Sequence, residues 1–230
     1  YNFLGGAAAD IASGDLPPNV TVLKEGAPVG GENPVDEGRA MMQLIHDIAP
    51  GARLLFYSAG RNEAELATAI RALANAGANI IVDDIVFAAQ PFFLDGPAAQ
   101  AVNEVAARGV AYFSAAGNES RDAYESPFRE SGIRFNPGQL PLSNPANFTV
   151  GRFEGGFAHD FDPGPGVDIY QRFTLGSGES FQVSFQWDQP FASVTPGRGA
   201  LNDIDIYVVN AAQNQVLGGS TDNNIGRDPI

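Results

Sequence analysis

Acids supply most of the side chains that could do chemistry in these 230 residues: 27 Asp and Glu stand against 13 Lys and Arg, two histidines and no cysteine. Without cysteine there is no thiol nucleophile, disulfide or cysteine zinc site, and the redox compartment stays open. His46 and His159 occupy different segments and lack the His-Glu-x-x-His spacing of a zinc hydrolase. His46 falls in the last turn of a helical pattern, where the helix dipole favours a cation, and His159 falls in a Gly- and Asp-rich turn as a solvated residue. Two acidic positions are more pointed. Asp83-Asp84 closes a hydrophobic run, and because neighbouring strand residues point to opposite faces, only one of them can face a given cleft. The alternatives for the pair are two solvated acids at a strand end or ligands of a metal ion. Glu37 opens a helical pattern, where an acid gains about 0.3 to 1 kcal/mol against the dipole. No Gly-x-Gly-x-x-Gly follows a strand and no Gly-x-x-x-x-Gly-Lys-Ser/Thr occurs, so nucleotide chemistry lacks its phosphate cradle. The expected cofactor is none. Ca²⁺ is the one ion that the acid-rich turn HDFDPGPGVD and the pair Asp203 and Asp205 would suit by oxygen chemistry, although neither has EF-hand spacing.

The elements that must position these residues alternate between helix and strand over the first two thirds. In residues 36–48 the apolar Met41, Leu44, Ile45 and Ile48 recur at spacings of three and four, with acids at the start and Pro50-Gly51 after the end. A short apolar run follows at 53–58. A second helix is expected over 62–76, with Leu66, Ala69, Ile70 and Leu73 on one stripe and Gly77 closing it. The hydrophobic run 79–87, a helix over 97–108 closed by Gly109, and the run 110–115 complete the series. Strands buried along their whole length and separated by helices of a dozen residues imply right-handed crossovers. The expected fold class is therefore α/β, a three-layer unit with the strands at 53–58, 79–85 and 110–115 as parallel neighbours.

Residues 120–147 lose this pattern to Pro, Asn, Gly and Ser and read as a long connector. Beyond it the period becomes two: 168–175, 180–187 and 203–210 alternate apolar with polar residues between turn residues, as in an antiparallel β-sandwich or jelly roll. Two domains are expected, 1–147 and 148–230.

The net charge of −14 and the single lysine, Lys24, leave no basic tract to neutralise a row of phosphates or to meet an anionic bilayer. Nucleic acid and membrane are thus poor partners. No apolar run approaches the ~18 residues of a membrane span. Tyr1 is not an initiator residue and Ile230 ends a polar stretch, so a piece of a longer protein is expected.

The stretches DEGRAMMQLIHDIAPGARLLFYSA (36–59) and DGPAAQAVNEVAARGVAYFSAAGN (95–118), in this order and separation, resemble the serine peptidases of the subtilisin and sedolisin clan over about residues 1–150. There, a helix, a Gly, a hydrophobic strand and Ala-Ala-Gly-Asn deliver the asparagine whose amide stabilises the oxyanion, which places that role on Asn118. The first stretch is similar to the helix that begins at the catalytic histidine of subtilisins and the catalytic glutamate of sedolisins, which places the general base on Glu37. The resemblance puts Asp84 where a strand borders the first substrate pocket, either sharing a proton with Glu37 or sensing a basic side chain of the substrate. The tail, chiefly through Asp203-Ile204-Asp205-Ile206-Tyr207, resembles the pre-peptidase C-terminal module of secreted bacterial peptidases.

The departures are specific. A subtilisin has His where this chain has Glu37, and a sedolisin has Asp where this chain has Met41 and again where it has Asn118. No Gly-Thr-Ser-x-Ala-x-Pro helix start occurs in the chain, the first-strand aspartate of subtilisins is missing, and Ser120, Ser177, Ser180 and Ser220 have other surroundings. What the resemblance implies is a secreted serine-type endopeptidase acting on peptide or protein substrates through an acyl-enzyme, its nucleophile outside this chain. The alternatives are an inactive pseudopeptidase and an adhesive or carbohydrate-binding module.

Overall fold

A computed structural model describes residues 1–26, 35–118, 120–136, 140–141, 156–180 and 182–230. It divides into two compact units, Tyr1–Asn118 and Glu119–Ile230. The boundary expected at 147/148 lies outside the described residues.

The first unit runs α1 (Ala7–Ser13), β1 (Thr21–Lys24), α2 (Glu37–Ile48), β2 (Leu55–Tyr57), α3 (Glu63–Asn75), β3 (Ile80–Asp83), α4 (Pro97–Ala106) and β4 (Ala111–Ser114). The two helices of the main cluster, α3 and α4, have local reasons to begin and end. The Asn62 side chain accepts the Glu65 N–H at 3.0 Å to start α3. Pro97 occupies the first turn of α4, whose N-terminus lacks a side-chain cap of its own. The Glu63 carboxylate supplies one from α3, accepting the Ala98 N–H at 3.0 Å. Gly77 (φ +91°) and Gly109 (φ +85°) end α3 and α4 in the left-handed conformation that other residues resist.

Pairing is parallel in both sheets of this unit: β1 with β2, and β3 with β4 in the register Ile80↔Ala111 to Asp83↔Ser114. The crossover from β3 to β4 is α4, as parallel strands joined by a helix require. The structure differs from the expected triplet of neighbours. Among the described residues β2 is hydrogen-bonded to β1, a strand the hydrophobic pattern does not reveal, and not to β3.

Leu66, Ala67, Ile70 and Ala74 of α3 pack with Ala98, Ala101 and Val105 of α4 over Ile81 and Val110. The alanines let the two helices approach closely, and an exposed two-pronged Arg71–Glu104 pair at 2.7 and 2.8 Å joins them at the surface. A second cluster joins Leu16, Met42 and Leu54, with Ile45 and Phe56 against it, so α2 rests on the β1–β2 pair. The opposite face of β3–β4 carries Ile80, Val82 and Phe113, all exposed.

The second unit contains two antiparallel pairs, β5 (Glu130–Phe135) with β6 (Gly156–His159) and β7 (Ile206–Val209) with β8 (Val216–Ser220). β5 lies inside the stretch expected as a connector. Among the described residues, 203–210 alone of the three expected strands contributes a ladder. Residues 168–175 and the described part of 180–187 pair with no strand among the described residues. The unit buries Phe191, Ala200, Val216 and Pro229, and also Asn224, whose amide donates to the Asp228 and Ile230 carbonyl oxygens at 2.9 Å each.

Candidate active site

Glu37 is the first residue of α2 and is exposed. Its neighbours fix that helix end. Asp36 spends its carboxylate on the preceding chain, accepting the N–H groups of Phe3 at 2.8 Å and Leu4 at 3.0 Å and pairing with Arg39 at 2.6 Å. Burial pushes the Asp36 carboxyl up, but the Leu4 and Phe3 amides and the Arg39 guanidinium outweigh it and hold the group below the usual carboxylate range. Arg39 also donates to the Tyr1 carbonyl at 3.0 Å and lies 2.9 Å from Asp10, close enough for an ion pair. Gly38 lets this first turn lie on β2: a Cβ there would fall 2.5 Å from Phe56 Cε2.

Asn118 follows β4 through Ala115, Ala116 and Gly117, the last at φ +81°, and is exposed. The turn is tied to β3, since the Ala115 N–H donates to the Asp83 carbonyl at 3.2 Å. β3 and β4 run parallel and end together, so Asp84 and the 115–118 turn leave the sheet at the same carboxyl edge, where ligands of α/β sheets bind. Glu37 is positioned from a different strand pair, through α2 on β2.

The two acids of the Asp83-Asp84 pair separate as strand alternation requires. Asp84 is exposed. Asp83 accepts hydrogen bonds from the Tyr112 hydroxyl and, at 2.9 Å, from Ser114 Oγ, both from β4. Burial first, and then the Asp83 carboxylate, push the Tyr112 phenol far above its ordinary range, because its anion would be desolvated beside another anion. Sequence reasoning missed this cluster. The signal was parity: Asp83 pairs with Ser114, and Tyr112 lies two residues before it on the same face.

Among the described residues, serine and histidine meet in the second unit. His159 is half-buried rather than solvated, with Tyr124 Oη at 3.1 Å and Ser126 Oγ at 3.4 Å from Nε2 and the Arg129 N–H donating to Nδ1 at 3.0 Å. A nitrogen that accepts a hydrogen bond carries no proton, so the neutral ring keeps its hydrogen on Nε2 and cannot take one from Ser126 there. Ser126 Oγ in turn donates to the Pro127 carbonyl at 2.8 Å. This pair is therefore not a nucleophile with its base. Ser120, Ser177, Ser180 and Ser220 are exposed.

His46 lies in the last turn of α2, its Nδ1 shielded and without a hydrogen-bond partner among the described residues. The carboxylates of the acid-rich turn build that turn: Asp160 Oδ1 accepts the N–H groups of Asp162 and Asp168, both at 3.0 Å, and Asp162 Oδ1 accepts that of Gly164 at 2.7 Å. In β7's approach, Asp205 accepts from the Tyr207 hydroxyl at 2.7 Å. Among the described residues no group of three His, Asp or Glu side chains is placed to hold a metal ion, and no helix is long and apolar enough to cross a membrane.

No family model matches the chain, and comparison with curated proteins and with solved structures finds no match.

Proposed function

We propose that this chain carries part of the machinery of a secreted serine-type endopeptidase of the subtilisin and sedolisin clan, with a three-layer α/β core and a β-sandwich-like tail. Glu37 acts as general base, Asn118 donates its side-chain amide to the oxyanion of a peptide or protein substrate, and Asp84 borders the first substrate pocket. The serine comes from outside these 230 residues, and the chemistry asks for no cofactor. The observation that carries the reading is the end of β4: a parallel strand that leaves the sheet through Ala115, Ala116 and the left-handed Gly117 straight into Asn118. Small residues there let a substrate carbonyl approach the backbone, and an amide held at that point stabilises charge as it develops.

A serine hydroxyl needs a base in a desolvated setting, and Glu37 is exposed. In the active enzyme the nucleophile-bearing segment and the bound substrate would provide the cover. The same exposure supports the second reading, a pseudopeptidase or adhesive module, in which Glu37 serves only the helix dipole.

The test has two arms. The 230-residue chain should not turn over a casein-type substrate, since base and oxyanion donor without a nucleophile form no acyl intermediate. In the longer reading frame, a downstream Gly-Thr-Ser-x-Ala-x-Pro segment should confer hydrolysis and labelling by a serine-directed fluorophosphonate. Glu37→Gln should abolish turnover while leaving the circular dichroism spectrum unchanged, and Asn118→Ala should lower kcat about 10²- to 10³-fold. A longer frame without such a segment would establish the second reading, and full activity in Glu37→Gln would take the base's role away from Glu37.

A further inference from the structure

We propose that His159 is a pH-operated clasp of the second unit, holding the chain at Arg129 to the 160–168 turn while its ring is neutral and releasing it on protonation. The ring stands at the end of β6, opposite Glu130 in the ladder, and is enclosed by Phe161 edge-on at 4.7 Å, Phe128 at 5.4 Å and Tyr124 at 6.2 Å between centroids. Its two nitrogens have opposite tasks. Nδ1 accepts the Arg129 N–H at 3.0 Å, and the Nε2 hydrogen faces Tyr124 Oη and Ser126 Oγ.

Arg129 is a clamp in its own right. Its guanidinium reaches across to the carbonyl oxygens of Asp160, at 2.8 and 3.2 Å, and of Asp162, at 2.9 Å, so backbone rather than carboxylate receives it. The Asp160 N–H returns to the Arg129 carbonyl at 2.8 Å. The ring therefore sits beside a cation whose hydrogen bonds go to neutral groups. The facing charges are Arg129 from the segment before β5, Glu130 across the ladder and Asp160 from the following turn, with the Tyr124 phenol as the other titratable neighbour. Among the described residues Asp160 is the anion that draws the ring toward its charged form through space, and its carboxylate is already occupied by the N–H groups of Asp162 and Asp168.

Adding a proton at Nδ1 turns the acceptor of the Arg129 N–H into a donor. Two donors then face each other at hydrogen-bond distance, and two cations share one half-buried site, so the Arg129 amide must let go. Burial and the Arg129 charge accordingly hold the His159 pKa below the ordinary histidine range. The sign follows from that depression. The clasp contributes fully above about pH 6.5, where histidine is neutral in folded and unfolded chains alike, and its contribution is lost as pH falls through the lower folded value.

The experiment uses the full 230-residue chain, labelled with ¹⁵N. At pH 7.5 the long-range imidazole spectrum should show His159 as the Nε2–H tautomer. Between pH 7.5 and 4.5 the exchange rate of the Arg129 amide, corrected for intrinsic pH dependence, should rise by up to about tenfold per unit as pH falls from about 6.5 to the His159 midpoint and level off below it, as a single-proton opening requires. The amides of α3 and α4 should not follow. His159→Gln, whose side-chain oxygen can accept the same N–H without titrating, should keep Arg129 protected at every pH. An Nδ1–H tautomer at neutral pH, protection that persists through the His159 titration, or the same acid-induced loss in His159→Gln would each overturn the proposal. The two wild-type measurements decide it even if the variant does not fold.

Discussion

Asp36, not Glu37, does the structural work at the start of α2. Its carboxylate satisfies two backbone N–H groups and pairs with Arg39 from a nearly enclosed position. Bonds to a charged group contribute about 1.5 to 3 kcal/mol, and losing the anion here also leaves Arg39 short of a partner, so Asp36→Ala should cost about 2 to 4 kcal/mol. Hydrogen exchange should show it first at Phe3 and Leu4. Because the folded pKa is depressed, the contribution of Asp36 is complete above about pH 4 and disappears as pH falls through the folded value; Asp36→Asn should flatten that part of the acid limb. Asp83 makes a second residue-scale prediction. Burial is the largest single cause of Tyr112's resistance to ionisation and the Asp83 carboxylate adds to it, so Asp83→Asn should lower the Tyr112 pKa without restoring the ordinary value. Alkaline titration followed at the tyrosinate absorbance checks this, and an unchanged high-pH step would contradict it.

Among the elements, α2 is the most constrained in its approach. Alanine at Gly38 would gain about 1 kcal/mol of helix propensity, but its Cβ would press on the Phe56 ring, and overpacking typically costs about 1 to 3 kcal/mol. The second term wins, so Gly38→Ala should lower the thermal midpoint of the first unit, and pairing it with Phe56→Leu should recover part of the loss. The helices of this unit were legible because period and punctuation agree: residues 36–48, 62–76 and 97–108 bracket the observed Glu37–Ile48, Glu63–Asn75 and Pro97–Ala106. What was illegible is pairing. β1 is four exposed residues, β5 hides in a turn-rich stretch, and β8 carries two glycines, so none shows the hydrophobic pattern of a strand. Residues 168–175 alternate well yet join no ladder among the described residues, because alternation assigns side chains to faces and says nothing of a hydrogen-bonding partner. The site divides the same way. Asp84 and Asn118 reach one sheet edge because their strands were readable. The contacts of Asp83 with Tyr112 and Ser114, and the enclosure of His159, depend on registers that only the folded chain sets.

At the scale of the whole molecule, a charge of −14 spread over 230 residues repels polyanions and favours the approach of cationic groups. The two compact units build their interiors differently. The first relies on helix against strand, while the second has few fully buried side chains among its described residues and leans on side-chain-to-backbone hydrogen bonds, such as those of Gln189 to Leu201 at 2.7 Å and Asn202 at 3.0 Å.

One feature of that first interior bears on the order of assembly. Among the described residues every buried member of the α3–α4 cluster lies from Leu66 to Val110, and the ladder that joins this segment closes over a single crossover helix. Loop-closure cost is therefore small and hydrophobic reward arrives early, which is the condition for a fast nucleus. During refolding, the amides of α3, β3, α4 and β4 should gain protection before those of β5 to β8, as pulse labelling would read; the reverse order would place the nucleus elsewhere. A chain emerging from the ribosome would then have the scaffold of the 115–118 turn set before the second unit is complete.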